Sequence, residues 1–563
     1  MIGVGVSITR PMHPIRNTSQ IMADFIADRY VGGVGPGILD LFDFEAAGSR
    51  NYINALGHLV TAAPGVPRNG HHEWLNGMWT SVGLLLEPSG TNKIAQAVAN
   101  ITDWWVSGAS FAAAADNFLG RFAGVVVTSD GETWHRARPS AEMAVVAGQT
   151  SSITAFVKEG TSGRCRIAIR HELSSTETHI RGPIGALAST TENAGTATVI
   201  RELAVPGGHL IFCTYTANVS GVVSVGVGPD SNVAGENITV YFLQFEDGHV
   251  PTSPILSDGA ATSRAKDVLT LSAVTLARHL VDHDQEPELT TLPAPGLPGW
   301  DDGSSIGGSM IYNAELGGVD VVNTTGTARA NCDFVAEIGK TYLVVLDHLA
   351  GPAMGAYVSE GGTDYNQGTL NPGDTGRATL WTATGVAPNV SGRQFTGGET
   401  STFRASIKEV NMPTRQDGPE VIQDLTVHMA GLMTYERLNN FSTLTLMEIY
   451  GDSGNRLGAK VDSVNGSGDL VVIHGVDGVL TYSGDASTWA PGMGVPFDIA
   501  GSYSDTDMSV AEHGGFSISK AVSGFPYLGG AALEISPESP VVLSKLDLRF
   551  GASGIDLVRE LVA

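Results

Sequence analysis

Between residues 101 and 271 the apolar residues fall in short runs that alternate with polar ones, are rich in β-branched side chains, and end in turn signals. Gly124-Val125-Val126-Val127, Ser152-Ile153-Thr154-Ala155-Phe156-Val157 and Arg164-Cys165-Arg166-Ile167-Ala168-Ile169 are examples. Others begin at Leu210, Val222 and Ile238. Runs of that length are too short for helices, and a period of two places every second side chain on one face of a strand. Closely spaced turns make neighbouring strands antiparallel, so the stretch predicts a β-sandwich. The same rhythm returns over 300–412 and again over 413–563. The expected fold class is therefore mainly β, with tandem antiparallel sandwiches after a short irregular N-terminal segment that contains one helix.

That helix is expected over 19–29, where Ile21, Met22, Phe25 and Ile26 fall at helical spacing before a glycine-rich break at 32–37. A chain of 563 residues exceeds one core, and the expected division runs as follows. Residues 1–44 form a docking segment and 45–95 a hairpin and seam region. Residues 96–271 form the first sandwich, 272–299 an acidic proline-rich linker, 300–412 a second sandwich and 413–563 a third. Charged residues make up 16% of the chain and glycines number 71, which suits turn-rich sheets better than helices. The net charge of −26 argues against nucleic acid as a partner, since phosphate binding needs basic patches. The three cysteines, Cys165, Cys213 and Cys332, lack metal-site spacing and read as small buried hydrophobes. No N-terminal basic leader with an apolar stretch is seen, and no run is long enough to span a bilayer.

The seam is the stretch 83–94. Leu84, Leu85 and Leu86 read as a buried strand, Glu87 as a charge at its end, and Pro88 with Ser89 and Gly90 as a tight turn. Thr91 and Asn92 can bond the returning backbone. The stretch resembles the GLLVEPxRTN signature of bacteriophage tail-fibre and minor tail proteins. It follows Asn51-Tyr52-Ile53-Asn54-Ala55-Leu56-Gly57-His58-Leu59-Val60-Thr61-Ala62-Ala63 and Pro67-Arg68, which match the segment that precedes the signature in that family. Gln244-Phe245-Glu246-Asp247-Gly248, Pro251-Thr252-Ser253-Pro254-Ile255 and Ser263-Arg264-Ala265-Lys266-Asp267 match its far end. One departure is Gly90, where the family usually carries arginine. The resemblance covers about 45–271 and implies a jelly-roll module there. The second sandwich looks like a carbohydrate-binding jelly roll, and the third resembles concanavalin A-like or laminin-G domains. It further implies a virion protein, made in the bacterial host cytoplasm, that docks on other tail or baseplate proteins through its N-terminal segment. Homotrimerisation and host surface polysaccharide as ligand follow by the same analogy.

No catalytic motif stands out. Gly303-Ser304-Ser305-Ile306-Gly307 fits GxSxG in letters, but a linker precedes it and glycine follows, where a nucleophile elbow needs a strand and a helix. The adjacent pair His71 and His72 would point apart in an extended chain, so no metal is expected there. No cofactor is expected, and no motif supports a structural calcium. Aromatic side chains are the remaining signal, because the flat C–H face of a sugar stacks on exposed Trp or Tyr. The glycan-contact candidates are Trp104, Trp105, Trp134, Trp489, and Tyr365 with Asp364 and Asn366. Of Trp104 and Trp105, adjacent in a strand, one should face outward. The reading is a receptor-facing, non-catalytic particle protein. A glycan depolymerase on the same scaffold, a head-mounted spike or a bacterial adhesin are the alternatives.

Overall fold

The computed structural model describes residues 20–33, 36–48, 50–132, 136–140, 142–280, 300–304, 307–361, 363–374, 377–410, 424–433, 443–451, 454–462, 469–483, 496–513, 517–526, 528, 531–535, 541–550 and 553–562. The described residues are mostly antiparallel strands, with three helices among them. Among the described residues no helix is long and apolar enough to cross a membrane.

The first sandwich packs a seven-stranded sheet on a six-stranded one. The larger sheet runs Ala109–Ala113, Val125–Ser129, Asn237–Asp247, Thr150–Glu159, Gly208–Ala217, Gly195–Val205 and Thr190–Glu192 in spatial order. The smaller runs Thr176–Pro183, Arg164–His171, Gly221–Pro229, Arg136–Pro139 and Trp104–Ser107, with Met143–Val145 also on Gly221–Pro229. Alternation decides which side chains go inward: in Val125–Ser129 every second residue is buried, and Ile167, Ile169, Val223, Val225 and Val227 close the opposite layer. Cys165 and Cys213 are free thiols inside this core. The second sandwich pairs two five-stranded sheets. One runs Trp300–Asp302, Ala328–Asp333, Asn389–Gln394, Met354–Glu360 and Thr363–Leu370. The other runs Gly308–Asn313, Gly318–Asn323, Glu399–Glu409, Thr341–Ala350 and Arg377–Thr382. Trp300, Trp381 and Cys332 are buried between them.

The third sandwich departs from the expected division, because both ends of the chain build it. Its nine-stranded sheet places Gln20–Asp24 against Val541–Phe550, with Ile21 opposite Leu548 and Ala23 opposite Leu546. Met78–Leu86 also pairs with Val541–Phe550, Leu84 opposite Leu543. In the facing sheet Val268–Leu271 joins Asp43–Glu45 to Ala532–Ile535. The shared core holds Ile21, Phe42, Leu84, Leu86, Leu269, Leu271, Leu425 and Leu546. The first and second sandwiches are therefore insertions into a sandwich that the N-terminal strands open and the C-terminal strands close. The helix expected over 19–29 is instead a hairpin, Gln20–Asp24 and Arg29–Val31, in which Asp24 Oδ1 accepts the Ile26 and Ala27 amides at the turn. Pairing of Ile21 and Ala23 with an apolar neighbour strand outweighs a weak local helical period. Residues 1–19 lie outside the described residues. Part of the segment read as linker, Ala273–Leu280, is a helix that places Leu276 and Ala277 in the third core. A last helix, Ile555–Val562, seats Val558 and Val562 on Ala500 and Ala511.

Candidate functional site

The seam motif folds as a strand and a corner, and its polar residues form the joint between the first and third sandwiches. Leu84 and Leu86 face the third core, while Leu85 turns to a small cluster with Val82, Leu432 and Val542. Glu87, 1% exposed, is the centre of the joint. Its Oε2 receives Arg68 Nη1 at 2.5 Å, Arg264 Nη1 at 2.9 Å and Ser253 Oγ at 2.6 Å, while Oε1 takes the Ser253 amide at 2.6 Å. Asp267 does the same work next door, binding Arg50 Nε at 2.7 Å, Arg68 Nη2 at 2.5 Å and the Glu87 amide at 2.9 Å. Burial alone would push the Glu87 carboxyl up. Arg264, Arg68 and the two Ser253 bonds outweigh it and hold the group down at about 2. Asn92 ties the far side, its Nδ2 donating to Ile255 O at 3.0 Å and its Oδ1 accepting the Phe245 amide at 3.2 Å. Thr91 Oγ1 bonds Ser263 Oγ at 2.8 Å, and Pro88 O accepts Arg264 Nη2 at 3.1 Å. The matched segments 51, 67–68, 251–255 and 263–267 thus meet at one point, which spacing alone could not reveal. Gly90 is required here: a Cβ would sit 2.4 Å from Glu246 Oε1. That carboxylate is itself buried and held by Gln244 Nε2 at 2.6 Å and Thr252 Oγ1 at 2.8 Å.

The aromatic candidates divide. Trp104 is in the first core with its Nε1 donating to Gln96 O, and Trp105 faces out, 48% exposed. Directly opposite Trp105 on the neighbouring strand is Arg138, whose guanidinium carbon lies 4.9 Å from the indole centroid. Across the same outer face, pairing aligns Gly226, Ala168 and His179 in one row and Ser224, Arg170 and Glu177 in the next. The small residues leave a low floor between Trp105 and a charged rim, and a Cβ on Gly226 would press on Arg136. On the rim, Arg136 Nη1 meets Glu177 Oε1 at 2.8 Å, and His179 bonds Glu177 and Glu192, each at 3.0 Å. The His179 bond, aided by Arg136, holds the Glu177 carboxyl below its ordinary range.

The second sandwich repeats the device. One row of outer positions crosses all five strands: Asp301, Asn331, Ser391, Tyr357 and Asn366. Arg393, on the strand beside Tyr357 and one diagonal step away, lays its guanidinium 4.0 Å from the Tyr357 centroid. Asp364 anchors it at 2.6 Å, and the Arg393 and Ser359 bonds hold the Asp364 carboxyl far below its ordinary range. Phe395, half exposed, borders Tyr357 edge-on. A cross-strand step separates the expected trio. Asp364 and Asn366 are on this face, but Tyr365 pairs with buried Val358 and lies on the other side, 40% exposed. The aromatic of this face is Tyr357, which the sequence reading passed over. Its signal was the alternation Gly355-x-Tyr357-x-Ser359, with a glycine that clears room for the Tyr357 and Phe395 rings. Trp134 and Trp489 lie outside the described residues, as do Ser305 and Ile306 of the GxSxG-like loop. His71 and His72 do point apart: His71 is buried and takes the Ile53 amide, and His72 Nδ1 bonds Gly70 O. Each face thus offers a ring platform with fixed hydrogen-bonding groups around it, the arrangement that holds a flat, apolar-faced, hydroxyl-edged molecule.

No family model matches the sequence, and no curated protein matches it. Among solved structures, the tandem CBM22-1–CBM22-2 domain of Paenibacillus barcinonensis Xyn10C aligns at 9% identity over 57% of this chain and 96% of its own, with a TM-score of 0.19. The CBM22-1 xylan-binding domain of the same protein aligns at 9% identity over 29% of this chain and 94% of its own, with a TM-score of 0.20. Likeness at this level leaves function to the residues of the chain itself.

Proposed function

We propose that this chain is a structural, receptor-facing component of a phage tail, a fibre or baseplate-associated protein, that holds host surface glycan on the outer faces of its two inserted sandwiches. The observation that carries the glycan reading is the pair of platforms, Trp105 under Arg138 with a charged rim across a low floor, and Tyr357 under Arg393 in a row of polar side chains. A sugar ring lays its C–H face on the side of the aromatic ring turned away from the guanidinium, while its hydroxyls meet the neighbouring amides, hydroxyls and carboxylates. The phage reading rests on the ordered signature through Glu87 and on its partners Arg68, Ser253, Arg264 and Asp267, which the joint uses as one unit. The protein binds rather than cleaves, docks through its N-terminal segment and assembles as a homotrimer. Mass spectrometry of purified particles and incubation of the chain with host polysaccharide test this together. The expected result is the chain in particles and retained polymer of unchanged length. Absence from particles refutes the structural role, and new reducing ends refute the non-catalytic one.

A further inference from the structure

A cavity of about 100 Å³ lies where the hairpin of His71–Leu75 and Met78–Leu86 crosses the outer face of the seven-stranded sheet. Trp74 and Trp79, edge to face at 5.3 Å, form one wall, and Phe156, Leu203, Leu210 and Phe212 form the other. His71, His72, Thr252 and Ser253 also border it, and the charged pair between the walls is Glu73–Arg201, 3.2 Å apart, with the Glu73 side chain 9% exposed.

Three ladder irregularities converge on this space. The register shifts between His71 and His72, between Phe156 and Val157, and between Val199 and Arg201. A bulge interrupts pairing and re-aims a side chain. Two of these interrupt long core strands, and they accompany Phe156 and Arg201 at the cavity. Gly57 adds to the shaping. Its φ of +74° and missing side chain admit the Trp79 indole, which a Cβ would overlap at 2.0 Å.

We infer that this cavity is a binding site for a small neutral molecule with one apolar ring and one hydroxyl. The ring fits between the two walls, and the hydroxyl meets the Glu73–Arg201 pair. The pair balances its own charge, so an ionic ligand gains nothing from it. The walls offer few partners for a polyhydroxylated sugar, whose buried hydroxyls would go unbonded at about 1–3 kcal/mol each. The size matches a single ring, since apolar cavities near 150 Å³ take up benzene. This site is separate from the two platforms and does not depend on the glycan reading.

Phenol is the test ligand, titrated into the full chain and followed by ligand-observed NMR, with toluene and glucose beside it. Saturable phenol binding is expected, with toluene weaker and glucose without effect. Leu203→Trp fills the space and should weaken phenol at least tenfold. Arg201→Met keeps the apolar stem and should bring phenol down to the toluene level while leaving toluene unchanged, which keeps the test open if Leu203→Trp does not fold. No saturable phenol binding, displacement of phenol by glucose, or phenol binding unchanged in Arg201→Met would overturn the inference.

Discussion

Replacing Glu87 by glutamine keeps the shape of the joint and removes its charge. The carboxylate accepts three hydrogen bonds, from Arg68 and from both the amide and hydroxyl of Ser253, pairs with Arg264, and is 1% exposed. Glutamine offers one acceptor oxygen and turns an NH2 toward donors already in place. It also leaves the buried Arg50, Arg68 and Arg264 with one negative charge fewer among them. Breaking a buried pair on one side costs about 3–5 kcal/mol, because the remaining charges keep their desolvation and lose their partner. The unit that melts with the joint is larger than a small domain, where each kcal/mol moves the midpoint by about 2–4 °C, so Glu87→Gln should lower that transition by roughly 6–20 °C. Differential scanning calorimetry on the full chain reads this, with Lys93→Ala as control. Lys93 and Asp247 form an exposed pair at the edge of the same region, worth under about 1 kcal/mol. If Glu87→Gln melts with Lys93→Ala and the parent, within about 2 °C, the joint does not hold the two sandwiches as described.

Acid should loosen the joint in two steps. Burial, then Arg68, push His71 down to about 3 from 6.5, so the fold favours its neutral form and that stability is full above pH 6.5 and lost as pH falls toward 3. Glu87, at about 2 against 4.5, adds a loss confined to the window between 4.5 and 2. The denaturant midpoint of His71→Gln should therefore be flatter than the parent's between pH 6.5 and 4.5, and parallel slopes there would refute the assignment. Gly90→Ala should cost about 1–3 kcal/mol by driving a methyl into the held Glu246 carboxylate, and an unchanged urea midpoint would count against it. A fragment of 413–563 alone should give a poorly dispersed NMR spectrum, since it lacks the strands that pair with Val541–Phe550 and Ala532–Ile535. A dispersed, monomeric spectrum would mean that the N-terminal strands are dispensable.

Strand rhythm was legible because side chains face alternate sides along a sandwich strand: the runs through Ile153, Ile167, Cys213 and Val225 are strands with those residues in the core. What the sequence could not show was partnership across distance. Ile21, Met22, Phe25 and Ile26 have a local helical spacing, and only the pairing of Ile21 and Ala23 with Leu548 and Leu546, more than five hundred residues on, makes the segment a strand. The same blindness hid the role of Glu87. It reads as a charge at a strand end, but Arg68 and Arg264 converge on it, and Arg50 on the neighbouring Asp267, from three places in the chain. Trp105 was recoverable from alternation beside Trp104. Tyr357 carries only the faint local mark of the alternation Gly355-x-Tyr357-x-Ser359, and its place becomes plain only where Arg393 folds over its ring.

The glycan platforms are the centre of the account, and the binding isotherm of purified host surface polysaccharide is their most direct measure. Trp105→Ala and Tyr357→Ala each remove the ring surface that the sugar covers, which at about 25 cal/mol per Å² of apolar area is a loss of about 1–2 kcal/mol or roughly five- to thirty-fold per face. The double variant should lose retention while keeping the parent's circular dichroism and melting profile. Retention of the polysaccharide by the folded double variant at the parent's affinity would contradict the account.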